Sequence, residues 1–93
     1  MPQRYLAHVY VTLRPAVLDP AGSAVCASLQ QLGYDEVEQV RTGKYICLTL
    51  TAESEAQARD RLAPMCDHLL ANPTIEDYRF ELERASSSAS VPS

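Results

Sequence analysis

Positive charge, glycine and histidine are all scarce in this chain, and each shortage removes a class of function. Lys and Arg together number 8 against 12 Asp and Glu, for a net charge of −4 and a pI near 5.0, so a broad electrostatic footprint for nucleic acid or anionic lipid is excluded. Only three glycines occur in 93 residues. Gly22 has no Lys-Ser or Lys-Thr after it, so no glycine-rich phosphate loop is present. The two histidines, His8 and His68, have no Cys, Ser or Asp partner at a recognisable spacing, which leaves no nucleophile–base pair. The cysteines Cys26, Cys47 and Cys66 form no C-x-x-C pair and read as small buried thiols. No apolar run approaches the roughly 20 residues that span a bilayer, and no charged-then-apolar leader opens the chain, so a soluble, cytoplasmic protein is expected.

What is present is periodicity broken by sharp junctions. Tyr5 to Leu13 alternate, with Tyr5, Ala7, Val9, Val11 and Leu13 on one side and Leu6, His8, Tyr10 and Thr12 on the other, which predicts a central strand. Asp19-Pro20 then predicts a helix start, with the Asp19 carboxylate capping free N–H groups and Pro20 at the first helical position. Val25, Leu29 and Leu32 form the expected inner stripe, and Gly33 suits a left-handed cap. A second strand is expected near Glu36 to Arg41, a turn at Thr42-Gly43, and a third strand with Ile46, Leu48 and Leu50 on one face and Tyr45, Cys47 and Thr49 on the other.

Thr51 is the expected cap of a second helix whose stripe runs Ala58, Leu62, Met65 or Cys66, and Leu69. Pro64 interrupts it, at ~3 kcal/mol if the helix stayed straight, so a kink or break is expected near Arg61 to Pro64. The charges Glu53, Glu55, Asp60 and Asp67 with Arg59 and Arg61 read as a solvated helix face. Asn72-Pro73 ends the helix, and a fourth strand turns Tyr78, Phe80 and Leu82 inward and Ile75, Asp77, Arg79 and Glu81 outward. The expected fold is α+β: a two-layer βαββαβ ferredoxin-like domain over residues 1–84, with an antiparallel four-stranded sheet and two helices on one face. Residues 85–93 are rich in serine and are expected to be a disordered tail.

That plan leaves one sheet face bare. Leu6, His8, Tyr10, Tyr45 and Cys47 should form an apolar, aromatic patch there, and a sheet-mediated dimer is expected to cover it. Arg41 and Lys44 flank the Thr42-Gly43 turn, where either an ordinary charged turn or a site for a phosphate or carboxylate fits the residues. Glu76 and Asp77 read as solvated residues at a strand start.

Four segments together resemble the PurS family, the small subunit of phosphoribosylformylglycinamidine (FGAM) synthase: Val17-Leu18-Asp19-Pro20-x-Gly22, Leu32-Gly33-Tyr34, Val40-Arg41-x-Gly43-Lys44 and Leu70-Ala71-Asn72-Pro73-x-Ile75-Glu76-Asp77-Tyr78. The resemblance runs from about Tyr5 to Leu82. Pro64 and Arg14, where the family frequently has lysine, depart from its pattern. The resemblance implies a subunit of a glutamine-dependent, ATP-consuming ligase of de novo purine biosynthesis, with no catalytic, cofactor-binding or metal-binding residue of its own. It implies a homodimer or tetramer that bridges a large PurL-type synthetase subunit and a PurQ-type glutaminase subunit and supports ammonia transfer between them. ATP and magnesium would belong to the synthetase. Arg41, Gly43, Lys44, Asn72, Pro73 and Glu76 become the candidates for partner contacts. The alternative is a ferredoxin-like regulatory module that binds a small anionic metabolite at the Arg41-Lys44 turn.

Overall fold

The computed structural model describes residues 2–85. Its elements are β1 (Gln3–Leu13), α1 (Pro20–Gln31), β2 (Gly43–Ala52), α2 (Glu55–Met65), a π-helical turn (Cys66–Leu70) and β3 (Glu76–Arg84). The alternation of β1 makes it the central strand, antiparallel to both neighbours in the order β2-β1-β3. Val9 stands opposite Ile46 on one side and Phe80 on the other, so each apolar set shares one face. Ala7, Val9 and Val11 are sealed there beneath Leu62, Cys66 and Ala71, with Ile46, Leu48, Leu50, Tyr78, Phe80 and Leu82 packed around them. Tyr5, Ala52 and Ala58 extend the core at its other end.

β2 runs through Thr51, which stands opposite Arg4, because Ala52 still has a core place to fill. The α2 cap is therefore Ser54 and not the expected Thr51. Its Oγ accepts from the Gln57 N–H at 3.1 Å, while Gln57 Oε1 accepts from the Glu53 N–H at 2.6 Å, a reciprocal arrangement close to a capping box. Of the kink or break expected near Arg61 to Pro64, the break is absent. The α-helix continues to Met65, and the change comes afterwards, where the Ala71 N–H reaches back five residues to the Cys66 carbonyl at 2.9 Å. A π turn advances each residue by less than the ~100° of an α-helix. This under-rotation carries Leu69 off the buried stripe, leaving it 84% exposed, and brings Leu70 into its place.

The first half of the chain differs most from expectation. The caps of α1 form as its sequence requires. Asp19 accepts from the Gly22 N–H, Pro20 opens the helix, and Gly33 at φ 102° ends it in a Schellman motif with Gly33 N–H to Gln30 O and Tyr34 N–H to Leu29 O, both 3.0 Å. Yet α1 does not lie on the sheet. Of its residues only Gly22 is buried, while Val25 is 43% and Leu32 74% exposed. Among the described residues, then, α2 and the π turn after it cover the sheet.

Residues 36–41 form no strand either, so the described sheet has three strands rather than four. One side chain occupies a backbone group that a neighbouring strand would have used, and another ties the end of the segment to the loop after β1. Gln30 Nε2 donates to the Val37 carbonyl at 2.9 Å, and Arg41 Nη2 donates to the carbonyls of Arg14 and Val17 at 2.9 and 2.8 Å. α1 and the returning segment thus form an arm beside the sheet. The order β2-β1-β3 is the four-stranded plan with one edge strand missing. The Ser-rich tail expected at 85–93 lies, beyond Ala85, outside the described residues.

Candidate functional site

Antiparallel register brings the end of β1 and the starts of β2 and β3 to one pole of the sheet, where Thr12 faces Gly43 and Leu13 faces Glu76. The junction segments 14–19, 41–44 and 72–77, far apart in sequence, meet there. Asp19 is their most constrained residue. Its Oδ1 accepts from the Gly22 N–H at 2.8 Å and its Oδ2 from the Thr42 N–H at 2.7 Å, while Thr42 Oγ1 lies 3.0 to 3.1 Å from both oxygens. One carboxylate, only 3% exposed, therefore ties the start of α1 to the start of β2. Gly22 is required by close approach, since a Cβ there would sit 2.2 Å from the Val40 carbonyl oxygen.

The hydrogen bonds from the Thr42 and Gly22 amides hold the Asp19 carboxyl below its usual range, and nearby Arg41 adds to the effect. A lowered acid pKa stabilises the folded state above the unfolded value, near 3.8, and that contribution is lost as pH falls through the folded value. We expect Asp19→Asn to be less stable than the parent at pH 7 and the difference to narrow below pH 4. Urea midpoints of both proteins between pH 7 and pH 3 would check this, and a gap that did not change with pH would contradict it.

Across the pole, Arg14 Nη2 donates to the Pro73 carbonyl, and its Nε lies 3.6 Å from Asp77 Oδ1. Asn72 and Glu76 close on each other. Glu76 Oε1 accepts from the Asn72 N–H at 2.6 Å, the Glu76 N–H donates to the Asn72 carbonyl at 2.7 Å, and Asn72 Oδ1 accepts from the Thr74 N–H at 3.1 Å. Glu76 Oε2 is 3.7 Å from Lys44 Nζ, with the Glu76 side chain only 15% exposed. Glu76 is thus a hub of the turn and not the solvated residue its position implied. All six expected partner-contact residues, Arg41, Gly43, Lys44, Asn72, Pro73 and Glu76, lie at this pole. Arg41 is engaged with backbone carbonyls, which weakens the reading of its turn as an anion site. Sequence reasoning missed Arg14 and the second bond of Asp19. The Asp-Pro pair signalled a cap, but a tie to a residue 23 positions away has no local signature.

His8, Tyr10, Tyr45 and Cys47 meet on the sheet face opposite α2, where Leu6, expected with them, is only 6% exposed. His8 Nδ1 and Tyr45 Oη are 2.6 Å apart, the Tyr10 and Tyr45 rings meet at 5.3 Å, and Cys47 Sγ is 3.9 Å from His8 Nδ1. β3 adds a charged rim, with the Arg79 guanidinium 4.0 Å above the Tyr10 ring and Glu83 Oε1 3.6 Å from His8 Nε2. Loss of solvent, with Glu81 beside Tyr10 and Cys47 beside Tyr45, pushes both phenols above their ordinary range and keeps them neutral. A third feature is a groove of about 490 Å³ between β2 and the end of α2, lined by Leu48, Pro64, Met65, Leu69 and Leu70 with Arg61 and His68 at its margin.

A family model described as PurS, phosphoribosylformylglycinamidine (FGAM) synthase, matches residues 6–84. A Synechocystis protein named phosphoribosylformylglycinamidine synthase subunit PurS is 62% identical over 82 residues, which cover 88% of this chain and 82% of that one. Among solved structures, Bacillus subtilis PurS superposes with a TM-score of 0.76 at 48% identity, over 85% of this chain and 98% of that one. A chain of the structure of PurLQS from Thermotoga maritima gives a TM-score of 0.76 at 29% identity, over 88% and 98%.

Proposed function

Because this chain belongs to the PurS family and is a small subunit of FGAM synthase in purine biosynthesis, we propose that it acts there as a paired, non-catalytic bridge between the enzyme's other subunits. The observation that carries this reading is the match over residues 6–84, which takes in the pole, the arm and the bare face together. The overall reaction converts formylglycinamide ribonucleotide, ATP, glutamine and water to formylglycinamidine ribonucleotide, ADP, phosphate and glutamate. In the proposed division of labour, a PurQ-type subunit releases ammonia and a PurL-type subunit, holding ATP and magnesium, activates the amide oxygen that ammonia replaces. The present chain keeps the two sites together in the cytoplasm, so that ammonia passes between them without escaping. The three-part Thermotoga maritima PurLQS structure supports this arrangement.

Two copies complete the fold. Each chain offers an α1 with exposed Val25 and an exposed C-cap Leu32, and a segment at 36–41 outside the sheet, and among the described residues each lacks a helix over the groove beside β2 and a strand on the β2 edge. What one copy lacks is what another presents, so the four-stranded βαββαβ unit is finished by exchanging arms. The bare face, with Leu6, His8, Tyr10, Tyr45 and Cys47, supplies a second self-contact through which such pairs build further.

The pole is then left for the large partners. Lys44 is its best probe, because Arg41 has a structural task, while Lys44, its side chain 56% exposed, reaches Glu76 only at 3.7 Å, a contact worth little to the fold. We expect Lys44→Glu to bind the synthetase and glutaminase subunits at least tenfold more weakly while melting within a few degrees of the parent. Co-sedimentation of the three purified subunits measures this. Undiminished binding would remove the pole from the interface, and a parent chain that joined neither subunit would refute the bridge.

A further inference from the structure

The root of the arm holds a choice between two folds of one chain. Thr42-Gly43 is a sequence able to turn a hairpin. A turn there, with α1 swung back, would lay residues 36–41 against β2 of their own chain and α1 into the groove beside α2. The same elements would then be buried in a monomer. Gly43 does not turn, however. Among the described residues the only glycine with positive φ is Gly33, and Gly43 already stands in β2, paired with Thr12.

We propose that the clasp of Asp19, Gly22 and Thr42 is a conformational lock that holds the arm open and so commits the chain to complete its sheet with a second copy instead of with itself. The inference rests on the exchange reading above. Both strands of the arm's root pass through the clasp. Asp19 precedes α1 and grips the amide and hydroxyl of Thr42, the residue that a hairpin would have to rotate. Gly22 lets the returning chain approach α1 closely at Val40. Arg41 adds a fastening from the returning segment to the carbonyls of Arg14 and Val17. Closed and exchanged forms bury the same surfaces, so the hinge decides between them, and charge-assisted bonds at the hinge weigh heavily in so small a difference.

The test uses the full chain and compares the parent with Asp19→Ala and Thr42→Val by light scattering from 1 to 100 µM, with circular dichroism and amide hydrogen exchange. The parent is expected to be dimeric throughout. Asp19→Ala should form a folded monomer, its dimer dissociating at concentrations at least tenfold higher, with the amides of residues 36–41 still protected because they pair with their own β2. Thr42→Val keeps the α1 cap and should shift in the same direction, and it decides the matter if Asp19→Ala fails to fold. Dimeric variants with unchanged dissociation would overturn the lock while sparing the exchange reading. A released monomer with unprotected 36–41 amides would likewise overturn it, and a monomeric parent would overturn both.

Discussion

Leu62→Ala is expected to cost about 2–5 kcal/mol, because it hollows the one place where helix and sheet meet with nothing to spare. Leu62 is fully buried over Ala7, Val9 and Val11, and its neighbours along the helix are small or already committed to the core. The alanine at position 7 matters here. Being small, it cannot fill a vacated volume, and the larger side chains around it are already packed in the core. Against a total of roughly 5–15 kcal/mol for a domain, the loss threatens the whole fold. Urea titration at fixed protein concentration should show the midpoint falling sharply with little change in slope. A shift worth under about 1 kcal/mol would mean that α2 is not the lid of the core.

Val25→Glu combined with Leu32→Glu is expected to do the reverse, sparing the single chain and abolishing the pair. Neither side chain belongs to the buried core of its own chain, and Leu32 is 74% and Val25 43% exposed, so charging them leaves that core intact. In the exchanged dimer each would be buried in a partner's groove, and complete burial of such a side chain is worth ~1.5–3 kcal/mol. Two positions in each of two copies, discounted for partial burial, make the effect on the order of 3 kcal/mol or more, about a hundredfold or more in the dissociation constant. Sedimentation at micromolar concentration should give a folded monomer. A double variant that stayed dimeric would place α1 outside the interface.

The residues that repeat locally were the readable ones. Two-residue alternation in Tyr5 to Leu13 and Ile46 to Leu50 set strand faces that the register upholds residue by residue, and Asp19-Pro20 with Leu32-Gly33 set both ends of α1. Where α1 goes was not readable, because a stripe of Val25, Leu29 and Leu32 is equally apolar whether it meets its own sheet or another chain's. Residues 36–41 misled for a related reason. Val37 and Val40 fit an extended backbone, but whether that backbone pairs in a ladder depends on Gln30 reaching its Val37 carbonyl and on Arg41 tying its end to Arg14 and Val17. The π turn that exchanges Leu70 for Leu69 also has no periodic signal of its own. The pole was legible as three junctions, and their meeting follows from register once β1 is central.

The central claim, that this subunit couples two active sites instead of housing one, is tested most directly by supplying nitrogen in two forms. Purified synthetase and glutaminase subunits, with and without this chain, would be assayed for amidine formation from glutamine and, separately, from ammonium at high concentration. Glutamine-driven synthesis is expected to depend strongly on the chain, while ammonia-driven synthesis scarcely changes. Equal dependence in both series, or dependence in neither, would contradict the claim.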